Sequence, residues 1–167
     1  ELNTHGTDPL SVDTDGDGDT ITDGDEVNTH GTDPLSVDTD EDGLSDDEEL
    51  NTYQTNPNST DTDEDGLSDI EEVYRGLNPN STDSDTDGLS DNDELNTHGT
   101  DPLSVDTDGD GVNDGDELNT HGTDPLSNDT DSDRLLDGEE LAAGTNPNSA
   151  DSDEDGLSDY DLSLIHI

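Results

Sequence analysis

Acidic residues make up 51 of the 167 positions, and most of them stand at fixed intervals. The segment Asp38, Asp40, Asp42, Asp46 and Glu49 places acids at positions 1, 3, 5, 9 and 12 of a twelve-residue stretch. Three short carboxylates on alternate residues can converge on one point, and a longer Glu at position 12 can reach back with both oxygens. A backbone carbonyl at position 7 adds a ligand, and Gly at position 6 lets the chain turn sharply around an ion. So many hard oxygen donors suit calcium, which takes six to eight of them flexibly. Magnesium demands a tighter octahedron and keeps its water.

The pattern occurs seven times, from Asp15, Asp38, Asp61, Asp83, Asp106, Asp129 and Asp151, at spacings of 23, 23, 22, 23, 23 and 22 residues. The expected calcium ligands of the first copy are Asp15, Asp17, Asp19, the carbonyl of Ile21, Asp23 and Glu26. The second copy offers Asp38, Asp40, Asp42, Leu44, Asp46 and Glu49, and the third Asp61, Asp63, Asp65, Leu67, Asp69 and Glu72. The fourth has Asp83, Asp85, Asp87, Leu89, Asp91 and Glu94, and the fifth Asp106, Asp108, Asp110, Val112, Asp114 and Glu117. The sixth has Asp129, Asp131, Asp133, Leu135, Asp137 and Glu140, and the truncated seventh Asp151, Asp153, Asp155, Leu157 and Asp159. These loops hold 34 of the 51 acids, so the charge is mostly chelation chemistry, and about six to seven calcium ions are expected. A first frame from Asp13 would put Ile21 at position 9 and Gly24 at position 12, so the Asp15 frame is preferred. It leaves Thr20 where Gly belongs, and the sixth loop has Arg134 there. Both make the turn costlier, and those two sites are expected to be weaker.

The elements between the loops must position these side chains with few apolar residues. Net charge is −49, hydrophobic residues are 20 %, aromatics 2 %, and Cys is absent. That composition excludes a conventional hydrophobic core, disulfide staples and thiolate metal sites. It also argues against nucleic acid and anionic membrane surfaces, which need Lys and Arg, and no apolar run is long enough for membrane insertion. Low hydrophobicity with high charge is otherwise the signature of disorder, but a solvated acidic tail has no reason to keep its carboxylates in register. Only 11 residues separate Glu49 from Asp61, too few for the exit and entry helices of a paired EF-hand. Position 8 is mostly Ser, Thr or Asn, so a strand pairing two loops there is not expected. The stretch after the ligands, such as D-D-E-E-L-N-T, predicts one or two helical turns ending at a Gly, with T-D-P or T-N-P making the next turn. The fold class expected is a calcium-stabilised tandem repeat array with little regular secondary structure. Apolar residues such as Leu44, Leu50, Leu35 and Leu103 form only small satellite clusters.

The histidines His5, His30, His98 and His121 recur once per repeat and never as i, i+4 pairs, which speaks against zinc or catalysis. Asp33 and Asp124, each before Pro, fit Asx-turn residues better than extra ligands. Tyr53, Tyr74 and Tyr160 are isolated and are expected to cover nearby apolar residues. Asn58, Asn80 and Asn128 stand in N-x-S/T sequons.

The unit D-T-D-E-D-G-L-S-D-D-E-E-L followed by T-N-P or G-T-D-P resembles the bacterial thrombospondin type-3 repeat, over residues 1 to about 161. The resemblance implies calcium held by a chain with little secondary structure in secreted or cell-surface proteins, often beside other domains. Vertebrate relatives carry cysteines between their loops; this chain has none. RTX repeats fit less well, because no G-G-x-G-x-D nonapeptide occurs. Glu1 stands in the position-12 slot of a missing loop, so residues 1–14 are read as a partial repeat and linker, 15–161 as seven tandem repeats, and the chain as a fragment. Leu162 fills the last position-12 slot, and the closing L-S-L-I-H-I, residues 162–167, resembles a translated sequencing adapter.

The function expected is a metal-rigidified spacer or stalk of a larger extracellular protein, with calcium ions and attached domains as its partners. A site of roughly 0.1 mM affinity in about 1 mM calcium gains near 1.4 kcal/mol, so seven give about 10, a whole domain's usual stability. The alternative is a calcium-dependent adhesion module that recognises a protein or glycan through exposed apolar anchors. An enzyme is not expected, since Ser, His and Asp recur with the repeat and no unique constellation stands out.

Overall fold

The computed structural model describes residues 19–165, which fall into two compact units divided between Thr82 and Asp83. The expected ligands Asp15 and Asp17, His5 and the partial repeat 1–14 lie outside the described residues. Each unit is a succession of the same two parts, an acidic loop and a short helix, with no strand among the described residues.

The loop is tied to itself by its own carboxylates. In the second repeat the Asp38 oxygens accept the N–H groups of Glu41 (2.7 Å) and Gly43 (3.0 Å). Asp40 accepts from Asp42 N–H (3.1 Å), and Asp42 from Leu44 N–H (2.7 Å). The backbone closes the loop where Asp46 N–H meets the Val37 carbonyl at 2.9 Å. Position 6 has φ of +109° at Gly43 and +100° at Gly88, a region that favours glycine; Arg134 stands there at +88°.

Position 8 begins the helix. The Ser45, Ser68 and Ser90 hydroxyls and that of Thr22 accept the N–H three residues on, as N-caps do, and acids fill the first turn. The helix then takes one of two forms, and repeat length decides which. In 23-residue repeats a single α-helical turn, such as Asp46–Glu48, runs into a π-helical turn: Glu26–His30, Glu49–Tyr53, Glu94–His98 or Glu117–His121. In 22-residue repeats the helix is purely α, Asp69–Arg75 and Asp137–Ala143. Both forms end on a left-handed residue whose N–H returns to the position-12 carbonyl: Gly99 to Glu94 at 2.7 Å, Gly76 to Glu72 at 2.8 Å. The extra residue is thus absorbed as a π-bulge, and the loops before and after it keep their register.

A β-turn with Pro second follows, closed by Ser36 N–H to the Asp33 carbonyl and its equivalents. Asp33 and Asp124 are Asx-turn residues here, accepting from Leu35 N–H (3.1 Å) and Leu126 N–H (3.2 Å). The buried apolar residues are the position-7 side chains Ile21, Leu44, Leu67, Leu89, Val112 and Leu135, with Leu77. One aliphatic side chain per repeat is no conventional core, and the largest fully buried side chains are acids instead. Tyr74 is 90 % exposed and so covers nothing.

Candidate metal centre

In the second to fifth loops the first three aspartates meet as their spacing predicts. Carboxylate oxygens of Asp38, Asp40 and Asp42 lie within 4.8 Å of one another, as do those of Asp61, Asp63 and Asp65 and of Asp83, Asp85 and Asp87. Ligands on opposite sides of one calcium stand about 4.6–5.2 Å apart, so this spacing fits a single ion.

Hydrogen bonding leaves a defined set of lone pairs open. In the position-3 aspartates one oxygen accepts a loop N–H, while Oδ2 of Asp40, Asp63, Asp85, Asp108 and Asp131 is buried without a hydrogen-bond partner. The position-12 glutamates are fully buried. Oε1 of Glu49, Glu94 and Glu140 accepts the hydroxyl of Thr55 (3.2 Å), Thr100 (3.1 Å) or Thr145 (3.3 Å), and Oε2 has no partner. An ionised carboxylate in such surroundings costs several kcal/mol unless a cation meets it. Burial accordingly pushes the carboxyls of Glu49, Glu94 and Glu117 up to about 8 and that of Glu140 to about 7. The negative charge of Asp40, in the same loop, adds to the rise at Glu49. Burial also raises Asp108, to about 6, and its counterparts Asp40, Asp63, Asp85 and Asp131.

Position 9 behaves differently from a simple ligand of its own loop. Both oxygens of Asp46 are engaged by one residue, accepting Thr39 N–H (2.9 Å) and Thr39 Oγ1–H (2.7 Å). Asp69, Asp91, Asp114, Asp137 and Asp159 repeat this with Thr62, Ser84, Thr107, Thr130 and Ser152. The Thr39 hydroxyl also accepts the N–H of Asp33, so position 2 ties the turn to the loop. Spacing of acids does not disclose this role. Its signal is the hydroxyl residue at position 2 in six of the seven copies.

Asp114, at position 9 of the fifth repeat, instead faces the repeat before. Carboxylate oxygens of Asp87, Glu94 and Asp114 lie within 4.8 Å of one another, joining positions 5 and 12 of the fourth repeat to position 9 of the fifth. The other oxygen of four position-5 aspartates accepts an N–H from the first helical turn of the following repeat. The pairs are Asp42 with Ile70 (3.3 Å), Asp87 with Gly115 (3.0 Å), Asp110 with Gly138 (3.3 Å) and Asp133 with Tyr160 (2.9 Å). Acidic clusters therefore occur both within a loop and between successive repeats. The seventh loop folds likewise, with Asp151, Asp153 and Asp155 accepting the N–H groups of Gly156, Asp155 and Leu157.

Six successive stretches, 13–37, 38–60, 61–82, 83–105, 106–128 and 129–150, match the bacterial TSP3 repeat. The chain belongs to that family. The first stretch starts two residues ahead of the Asp15 frame, and the other five start at the aspartates named above. As a bacterial TSP3 repeat region it is extracellular and structural, not enzymatic, and its acidic clusters are of the kind that chelates calcium. No curated protein matches it. A solved chain titled "Biofilm associated protein - BSP domain" is 50 % identical over 26 % of this chain and 8 % of its own, with a TM-score of 0.26. Another, "Biofilm associated protein - B domain", is 49 % identical over 27 % and 11 %, with a TM-score of 0.27. This chain thus spans a small fraction of the length of either protein.

Proposed function

We propose that these TSP3 repeats form a calcium-ordered segment of a surface adhesion protein, folded by metal and adhesive only when loaded. The observation that carries the reading is the recurrence of fully buried glutamate oxygens with no partner, Oε2 of Glu49, Glu94 and Glu140, beside triads of aspartates. The ligand set proposed for each loop is positions 1, 3, 5 and 12 with the carbonyl of position 7, which is the set expected from spacing without its position 9. Position 9 serves the cluster of the preceding repeat. Adhesion is supported by Leu35, Leu103 and Leu126, which occupy the same place in their repeats and are 56 %, 55 % and 51 % exposed. Anchors of that kind are what a recognition surface needs and a passive spacer does not. The biofilm-associated titles of the two solved chains are in keeping with this setting.

The test couples calorimetry to adhesion. Chelator-stripped protein titrated with calcium should bind about one or more ions per loop with compaction in small-angle scattering, while magnesium gives little response. Beads coated with the loaded protein should cluster or hold to bacterial surfaces in calcium and release in chelator, and the Leu35→Ser, Leu103→Ser and Leu126→Ser variants should weaken this. Compaction without any calcium-dependent adhesion would leave the spacer as the better description. Absence of saturable binding would remove both.

A further inference from the structure

The turn that ends each repeat comes in two versions. In the second, third and sixth repeats it reads N-P-N, and in the first, fourth and fifth D-P-L. The second Asn of N-P-N reaches back to the preceding repeat. Asn58 Nδ2 donates to the His30 carbonyl (3.2 Å), Asn80 to that of Tyr53 (3.0 Å) and Asn148 to that of His121 (3.1 Å). Each acceptor belongs to the last residue of a π-helical turn, among the carbonyls that a helix end leaves without an internal partner. In the fifth repeat Leu126 takes the place of that Asn. Its Cδ1 borders the space that a side chain on Gly99 would fill, 3.8 Å from where such a Cβ would stand, and Leu126 is itself 51 % exposed, so its side chain brings no directional bond to the preceding helix terminus.

These contacts differ in kind. An amide–carbonyl hydrogen bond fixes both distance and direction and weakens steeply when bent, whereas a half-exposed leucine side chain makes no directional bond and tolerates sliding. We infer that the residue after this proline sets the bending stiffness of each junction, with Asn making a clamp and Leu a hinge. The inference rests on the calcium-ordered array proposed above, within which acidic groups such as Asp87, Glu94 and Asp114 join successive repeats of one compact unit and this residue decides how freely such a junction bends. The chain then carries clamps between repeats 1 and 2, 2 and 3, and 5 and 6, and a hinge between 4 and 5.

Spin-label distance measurements on the full chain test it, because the sequence has no Cys and labels go only where Cys is placed. Thr97, Thr120 and Ala142 are exposed. The pair Thr97→Cys and Thr120→Cys spans the hinge; Thr120→Cys and Ala142→Cys span a clamp. In saturating calcium the clamp pair should give the narrower distance distribution. Asn148→Leu should broaden it, and Leu126→Asn should narrow the hinge pair, with helical circular dichroism unchanged. Distributions that narrow on adding calcium but ignore both substitutions overturn the junction code and leave calcium ordering intact. No narrowing by calcium at either junction overturns both.

Discussion

The position-12 glutamates put the energetics of this protein into single side chains. Each is fully buried, and the carboxyls of Glu49, Glu94 and Glu117 stand near 8 against an ordinary value of 4.5. Below about 4.5 these groups are protonated whether the chain is folded or not, and above about 8 they are ionised in both states. Between those limits the fold holds protons that the unfolded chain has released, so stability without metal falls as pH rises through that window. Chelator-treated protein should therefore be most helical and compact near pH 4 and unravel by pH 8, as read by circular dichroism. Calcium should enter by displacing those protons. Titration at pH 7 in two buffers of different ionisation enthalpy should show proton release on binding, and equal apparent heats in both buffers would contradict it.

At the scale of the repeat, the two helix forms make a sharp prediction. Because the 22-residue repeats reach the same capping glycine through an α-helix, removing one residue from a π-helical turn should be tolerated. Deletion of Thr97 should turn Glu94–His98 into an α-helical end with calcium stoichiometry unchanged, whereas a deletion inside Asp106–Glu117 should abolish binding there. Gln54 supplies a second case. It stands at φ +61°, where other repeats have Gly31, Gly99 or Gly122, so Gln54→Gly should stabilise that repeat by about 1 kcal/mol, seen as slower local hydrogen exchange. The acid spacing and the stop at Gly were enough to place loops and short helices from the sequence. The π-turn was not legible, because one extra residue could equally have been taken up in the following turn. Nor was the engagement of Asp46 with Thr39, since a carboxylate in a ligand-like slot reads the same whether it meets an ion or a hydroxyl. Contacts such as Asp87 with Asp114 are hidden for a further reason: spacing within one loop says nothing about which oxygen the next repeat presents.

Within each compact unit, stability is distributed as contacts between neighbouring repeats with almost no apolar core among the described residues, so in the proposed function metal takes the place that burial holds elsewhere. Chelation should remove helicity and compactness together, and magnesium should restore neither, because its smaller octahedron cannot draw in the widely set carboxylates. Asp87 shows how a local loss should spread. One of its oxygens receives the N–H of Gly115, and it groups with Glu94 and Asp114, so it serves its own loop and the start of the next repeat. At Gly115 a side chain would collide with the Asp87 carbonyl, so the two backbones come close at that one point, about which the junction can still bend. Asp87→Asn keeps the shape and removes the charge. It should lower calcium occupancy in the fourth repeat and also loosen the fifth, with hydrogen exchange rising over both Asp91–His98 and Asp114–His121 while Asp137–Ala143 keeps its protection. Exchange confined to the fourth repeat would mean that each loop binds alone. Exchange rising evenly along the chain would mean that the array orders as one unit, with no nearest-neighbour limit to its cooperativity.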